Sequence, residues 1–429
     1  MKAVHIGVKL GSCVSRLALA AALAVAAGGS LQAEPKTNLL HQWDTGGDAL
    51  AIAKLGEMFE AEGGSWSQTP IPGHTANTLT KLRADVLAGN PPPAVQLKGP
   101  EIAEWAATGY TADLNELASK ENWEDVVAPT LISVMKPDDT WAAAPMNIHR
   151  INWMWASKPA LEKVGVTELP KTWDEFNEVA QKLADAGITP VAHGSQDWID
   201  GTLFEIVVYG MDHELYRKAF VELDLDALQS EGMVESFAQL RKMVEWMDEG
   251  IPGRTWDVAA AMMLKGEAGF HFMGDWAIGY YNNNGFTPNE DYLCGRAPMN
   301  VDEPGFILNS DSVVFFKVDD PEYQEGQELL AHLIMSPEFQ TVFNKAKGSI
   351  PARMDVDLQG FNPCQQKALA DLQETIEADN LVVSMAHNMA VPQKFRAAML
   401  EVITEFVNDP GLSPEDAAVQ LSDAVANEL

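Results

Sequence analysis

The amino-acid sequence predicts a mixed α/β protein of two to three domains with mainly parallel sheets. Three observations carry that expectation. The chain has 429 residues, and domains hold roughly 150 residues each. At 46% hydrophobic and 21% charged residues it has the composition of a globular protein with a full core, not of a disordered or fibrous chain. Short apolar runs alternate with amphipathic stretches, the pattern of helices laid on sheets. No internal repeat, low-complexity tract or long Gly/Ser linker is visible, so the parts are expected to be lobes that the chain crosses more than once.

The elements follow in chain order. Lys2, Lys9 and Arg16 form a basic region with no acidic residue before Glu34, and Leu17 to Ala27 is uninterruptedly apolar. Gly28-Gly29-Ser30 breaks that run, and Leu31-Gln32-Ala33 offers a small-residue cleavage pattern. This reads as a secretory signal peptide over residues 1–33, cleaved after Ala33, because the run is too short to span a bilayer. A buried N-terminal helix is the competing reading. Beyond it, Ile52, Leu55 and Phe59 share one face of a helix over Leu50–Phe59. Leu79, Leu82 and Val86 do the same over Thr78–Leu87, which stops at Gly89-Asn90. Ala94–Leu97 and Val313–Phe316 read as buried strands. Phe237, Leu240, Val244 and Met247 form one helical stripe, and Phe395, Met399, Val402 and Phe406 another. Ser413 with Asp416 has the spacing of a helix-start capping box.

Charge and cysteine content narrow the function. Asp plus Glu outnumber Lys plus Arg by 62 to 29, for a net charge of -33, which disfavours nucleic acid and anionic lipid as partners. Cys13 precedes the apolar run and would leave with the signal, so it is not a lipid-bearing cysteine. Cys294 and Cys364 remain, an even pair that reads as one disulfide in an exported, oxidising setting, with two unrelated buried thiols as the other possibility. No later stretch reaches transmembrane length, so a soluble product is expected.

No HExxH, GxSxG, P-loop or GxGxxG pattern occurs, and the nine histidines are scattered. Nothing nominates a nucleophile, a metal or a cofactor. What the chain has is twelve tryptophans, several beside polar residues and glycine, including Trp43, Trp256 and Trp276. An indole face packs on the C–H patch of a pyranose ring, whose hydroxyl rim needs donors and acceptors in the ring plane. Trp105 and Trp173, inside helical patterns, read as core.

These segments also carry a resemblance. They are His41-Gln42-Trp43-Asp44-Thr45-Gly46-Gly47-Asp48, Gly89-Asn90-Pro91-Pro92, Gln96-Leu97-Lys98-Gly99-Pro100, Met146-Asn147-Ile148-His149-Arg150 and Pro170-Lys171-Thr172-Trp173-Asp174-Glu175-Phe176. Met273-Gly274-Asp275-Trp276-Ala277, Asn309-Ser310-Asp311-Ser312, Lys347-Gly348-Ser349-Ile350-Pro351 and Ala386-His387-Asn388-Met389-Ala390 follow. In this order the chain resembles, over nearly all of its length after residue 33, the periplasmic solute-binding proteins of bacterial ABC sugar importers, closest to the glucose and monosaccharide branch.

The resemblance implies a two-lobed periplasmic binding protein fold of type II, with ligand in the interlobe cleft. It implies lobes of residues 34–144 with 308–347 and 145–307 with 348–429, crossed near Ala143–Asn147, Phe306–Ser310 and Gly348–Arg353. Carried over by position, Trp43 and Trp256 stack on a sugar and Trp276 adds a wall. Asp48 and Asp311 accept from hydroxyls, and Gln96, Lys98, Lys347 and His387 supply further polar contacts. The paired cysteines also match a pair seen in related members. His149 is expected to hold the crossing by hydrogen bonds. The implied partners are a monosaccharide and the permease subunits in the inner membrane, with a chemoreceptor or sensor kinase as a further candidate, and the implied state is a periplasmic monomer without catalytic residues. This chain departs from the glucose-binding pattern where Gln42 replaces a tryptophan and Asp48 a glutamate. A secreted glycoside hydrolase using Asp48 and Asp311 is the competing class, and an oligosaccharide the competing ligand.

Overall fold

The computed structural model describes Met1 and residues 34–43, 46–72 and 75–429. The expected signal segment, with Cys13 and the cleavage position after Ala33, lies outside the described residues except for Met1, as do Asp44 and Thr45. Glu34–Leu429 form one compact unit.

Within it a five-stranded sheet runs in the order Gln68–Pro70, Leu39–His41, Ala94–Leu97, Ser312–Phe315, Ala143–Pro145. The first three strands are parallel, each joined to the next in sequence by a helical crossover. Helices Gly46–Ala61 and Thr75–Leu87 make those connections, burying the expected Ile52, Leu55, Phe59, Leu79 and Leu82. A second, four-stranded sheet orders Thr189–Ala192, Ala268–Phe272, Trp153–Ser157 and Tyr292–Arg296. A small third sheet joins Leu381–Val383, Phe306–Asn309 and His149–Arg150.

The sheets are mixed rather than mainly parallel: among the described residues antiparallel pairings outnumber parallel ones. The cause is topological. Ser312–Phe315 enters directly from Phe306–Asn309 of the small third sheet, without a crossover helix, and runs against both of its neighbours. Helix ends follow their sequence signals. Ser336-Pro337 closes the helix Pro321–Met335 and caps the helix Pro337–Lys347, the serine oxygen accepting from Phe339 N–H at 3.1 Å. Ser413 caps Pro414–Ala426 by accepting from Asp416 N–H at 3.1 Å, but the Asp416 carboxylate takes the serine hydroxyl rather than reaching back to the cap amide. Aspartate is one methylene too short for the reciprocal bond, which Asn362 and Gln365 do complete at the helix Pro363–Glu377.

Two apolar cores result. One lies around the five-stranded sheet and extends to Trp153 and Trp155; the other lies under the four-stranded sheet. In the second, Phe204, Phe237 and Phe406 bring together helices Asp197–Met211, Glu231–Glu245 and Gln393–Asn408, with ring centroids 4.3 and 4.8 Å apart. Trp123, Trp141, Trp153, Trp155 and Trp173 are wholly buried, and Trp105 packs edge-on to Phe316. No helix among the described residues is long and apolar enough to cross a membrane.

Three segments lie side by side between the two larger sheets. Ile148 and Ile350 exchange backbone bonds of 2.8 and 3.0 Å, Arg150 pairs with Leu308, and Met146 N–H donates to the Asp311 carbonyl at 2.8 Å. The helix Pro363–Glu377 is tied to the four-stranded sheet twice over. Cys364 forms the expected disulfide with Cys294, and Asp371 meets both Arg150 and Arg296, the latter at 2.6 Å. The disulfide spans 70 residues of sequence, so Cys294→Ser/Cys364→Ser is expected to lose about 2–4 kcal/mol of stability. Denaturant unfolding with and without reductant measures this: the reductant should lower the midpoint of the wild type and leave the double variant unmoved.

Candidate ligand-binding site

The carboxyl ends of the parallel strands are where open α/β sheets place their ligands, and the sequence-nominated side chains converge there. Trp43 follows Leu39–His41, Lys98 follows Ala94–Leu97, and Asp311 precedes the antiparallel strand whose Ser312 pairs with Leu97. Lys347 ends its helix, turned by Gly348 at φ 94°. From the opposite side come Asp275 and Trp276 after Ala268–Phe272, Trp256 at the start of Trp256–Leu264, and His387 after Leu381–Val383. Gly99 lets these two sides meet: its φ is 46°, and a Cβ there would lie 2.2 Å from the Asn388 carbonyl oxygen.

Between them lies a cavity of about 290 Å³ lined by Trp43, Asp48, Lys98, Trp256, Trp276, Asp311, Lys347 and His387, at the small end of the roughly 300–1,000 Å³ usual for ligand sites. Gln96 stands behind it. Its amide nitrogen donates to Asp311 at 3.1 Å and its oxygen accepts from Gln42 N–H at 3.1 Å, so its polar atoms serve the protein. A larger hollow of about 550 Å³ lies at the edge of the first sheet against Pro91–Pro93 and Lys317. It has no indole wall and none of the nominated residues.

Asp311 is the electrostatic centre. Its side chain is 2% exposed and surrounded by donors: Lys98 at 2.7 Å and Gln96 on one oxygen, Asn147 at 2.8 Å and His149 at 3.1 Å on the other. Burial alone would raise its pKa, but Lys98, His149 and Lys347 hold it well below the usual carboxylate range. His149 presents its other ring nitrogen to Asp275. Burial opposes the charged imidazole, yet the carboxylates facing its two nitrogens hold its pKa above the ordinary value. Lys347 is buried too, and its ammonium meets Asp48 at 2.6 Å and stands 5.4 Å from the centre of the Trp43 ring. Burial lowers its pKa, but Asp48, Asp311 and Asp275 raise it overall.

The indoles are less buried on the far side. Trp276 lies 5.5 Å from His149 and 5.1 Å from His387 between ring centroids, and Trp256 packs edge-on to Tyr280. Thr75, Gln196, Trp198, Asp257, Asn388 and Arg396 also line the cavity and were not nominated from sequence. Trp198, 6.1 Å from Trp276, has the same polar flank that singled out the other indoles, Asp197 preceding it. Arg396 gave no signal, since a cation beside an apolar helical stripe reads as a solvated face. Among the described residues no group of His, Cys, Asp or Glu is placed to hold a metal.

The sequence profile of the bacterial extracellular solute-binding proteins matches residues 48–302. The chain belongs to this family. A "Probable sugar-binding periplasmic protein" of Brucella suis biovar 1 (strain 1330) is 41% identical over 92% of this chain and 93% of its own. One of the same name from Rhizobium meliloti (strain 1021) is 40% identical, covering 94% and 97%. Among solved structures, a chitin oligosaccharide binding protein superposes with a TM-score of 0.78 at 19% identity, over 92% of this chain and 98% of the other. A bacterial solute receptor with an exclusive preference for β-D-galactopyranose does so with 0.77 at 17%, over the same shares. These neighbours share the two-lobed fold of this solute-binding protein.

Asp311 contributes to the expected pH response. Its native pKa is depressed, so the stability it contributes is present above the unfolded value near 3.8 and lost as pH falls through the native one. Asp311→Asn leaves Lys98 buried without its partner and is expected to cost about 3–5 kcal/mol at pH 7. Urea unfolding at pH 7 and pH 3 tests both points: the variant should be weaker at pH 7 and should lose less than the wild type on acidification.

Proposed function

We propose that this protein captures a monosaccharide, glucose or a related hexose, in the periplasm and delivers it to an ABC importer. The observation that carries the reading is the small cavity walled by indoles from both sides, Trp43 facing Trp256 and Trp276, with paired charges along its rim. A pyranose offers apolar ring faces to such walls and a rim of hydroxyls to such charges. The names of the Brucella and Rhizobium relatives support sugar as the ligand class and the periplasm as the location. A volume of about 290 Å³ supports one ring over an extended chain of rings. The lobes, residues 34–144 with 308–347 against 145–307 with 348–429, would close about the three crossing segments, since a ligand touching both favours the closed form.

Family and chemistry both speak against hydrolysis. A glycosidase needs one carboxyl that keeps a proton to donate, whereas Asp311 is held ionised and Asp48 is paired with Lys347.

Calorimetric titration of protein unfolded and refolded to strip carried-over ligand tests the proposal against glucose, mannose, galactose, xylose and maltose. One site per chain is expected for one or two monosaccharides, with micromolar affinity, about −8 kcal/mol. Trp256→Ala and Trp276→Ala should each weaken it about tenfold or more, one stacked ring contributing on the order of 1 kcal/mol beyond its buried area. Heat with maltose alone, or silence across the panel from folded protein, would overturn it.

A further inference from the structure

A polar chain behind the cavity touches no proposed ligand atom, yet it decides what one cavity residue can do. Glu205 lies wholly buried in the helix Asp197–Met211. One carboxylate oxygen accepts from the backbone N–H groups of Met385 at 2.9 Å and Ala386 at 3.2 Å, with Tyr216 Oη 2.9 Å away. The other accepts from Ser384 Oγ at 2.7 Å. Glu205 therefore serves as an acceptor at both oxygens.

Ser384 has one hydroxyl proton, and Glu205 takes it. Toward His387 the serine oxygen has only lone pairs left. It accepts from the His387 backbone N–H at 3.2 Å and faces the ring Nδ1 at 3.0 Å, so Nδ1 carries the ring proton. Burial keeps this imidazole neutral, with Lys98 and Arg396 acting in the same sense and Glu205 against it. In a neutral ring protonated at Nδ1, Nε2 is a bare acceptor. Among the described residues, the buried Nε2 of His387 has no hydrogen-bond partner, on a ring that lines the cavity.

We propose that Glu205, acting through Ser384, is a positioning residue that fixes His387 in its Nδ1–H tautomer, so that the cavity requires a ligand hydroxyl donating to Nε2. The ligand's half of this bond rests on the cavity being a sugar site; the tautomer does not.

Glu205→Gln should reverse the polarity. The Met385 and Ala386 amides need an acceptor, so the carbonyl oxygen of the substituted side chain takes the position of the oxygen they now bind. That turns its NH₂ group toward Ser384. Ser384 then accepts from the amide, and its own proton points to His387 Nδ1. The ring proton moves to Nε2, which becomes a donor.

The test is long-range ¹H–¹⁵N correlation on ¹⁵N-histidine-labelled, ligand-free protein at pH 7, with the His387 signals assigned from their loss in His387→Gln. The wild type should show protonated Nδ1 and bare Nε2, and Glu205→Gln the opposite. Should Glu205→Gln fail to fold, Ser384→Ala replaces it, and the share of the Nδ1–H tautomer should then fall, the Glu205 carboxylate 3.6 Å from Nδ1 being the remaining acceptor on that side. A wild-type ring protonated at Nε2, a doubly protonated ring, or a tautomer unchanged in the variants that fold overturns the proposal. In a second arm, monodeoxyfluoro forms of the bound hexose are titrated. Fluorine accepts but cannot donate, so at one ring position it should cost about tenfold in affinity, and that loss should shrink in Glu205→Gln or Ser384→Ala; no such position overturns the ligand's half. If no sugar binds while the tautomers behave as stated, the sugar reading alone falls.

Discussion

Taking a carboxylate out of water costs several kcal/mol unless donors surround it, and Asp311 is buried where the chain passes between its lobes. That requirement reaches through much of the middle of the molecule. Lys98 must follow the strand Ala94–Leu97, Asn147 must follow Ala143–Pro145 of the first sheet, and His149 must begin its strand in the small third sheet, so that all three point at one side chain. Asn147 also accepts from the Asp311 backbone N–H at 2.8 Å, which fixes the carboxylate's own backbone. His149 passes the demand on to Asp275, whose other oxygen accepts from Arg150 N–H at 2.9 Å. Acids and bases thus alternate from Lys98 to Asp275, and removing any member leaves a buried polar neighbour without its partner.

The same alternation shapes the cavity. A hydroxyl is both donor and acceptor, so a Lys–Asp pair presenting an ammonium and a carboxylate side by side suits it at both ends. Lys98 with Asp311 and Lys347 with Asp48 are two such pairs, each nearly neutral as a unit. Under the proposed reading they favour a neutral polyol over an anion, although the cavity holds several cations. The apolar walls then orient the ring while the pairs sort its hydroxyls. Asp311 accepts from four protein donors, whereas Asp48, a third exposed, and Gln196 Oε1, Asn309 Oδ1 and His387 Nε2, which have no partner among the described residues, line the cavity with more acceptor capacity for a ligand.

Local elements were legible in the sequence because local rules govern them. Ile52, Leu55 and Phe59 fixed one helix face, and Ala94–Leu97 came out as the strand observed. Strand direction was not legible, since an antiparallel entry depends on which lobe the chain is returning from and leaves no mark in apolar spacing. Nearly all nominated residues reach the cavity, and the resemblance carried most of them there; spacing alone singled out only the tryptophans with polar or glycine neighbours. Gln96 shows the limit. Its position in the sequence next to Lys98 does not say that its amide faces inward to Asp311 and Gln42. Arg396 and Glu205 were invisible for a related reason: each sits on a helix whose pattern reads as core or solvent, and each acquires its role only when Ser384–Asn388 folds against it.

Gln42 and Asp48, the two departures from the glucose-binding pattern, lie on the Trp43 side of the cavity and are held there by the protein. Gln42 accepts from Thr75 at 2.9 Å through its side chain and donates to Gln96 through its backbone, so it stands as a polar wall where a second indole is usual. Asp48 meets Lys347 at 2.6 Å; with a side chain one methylene shorter than glutamate, the carboxylate sits back toward its own helix. The first change exchanges apolar contact for hydrogen-bonding capacity and the second only draws a carboxylate back, while the opposite face keeps Trp198, Trp256 and Trp276. Under the proposed reading a ring would lie between Trp43 and the indoles of the opposite side, with the hydroxyls of its rim toward the Lys–Asp pairs. On that reading an axial and an equatorial hydroxyl would meet different members of the Lys–Asp pairs, so selectivity among epimers would rest on the pairs and the grip on the ring would rest on the indoles.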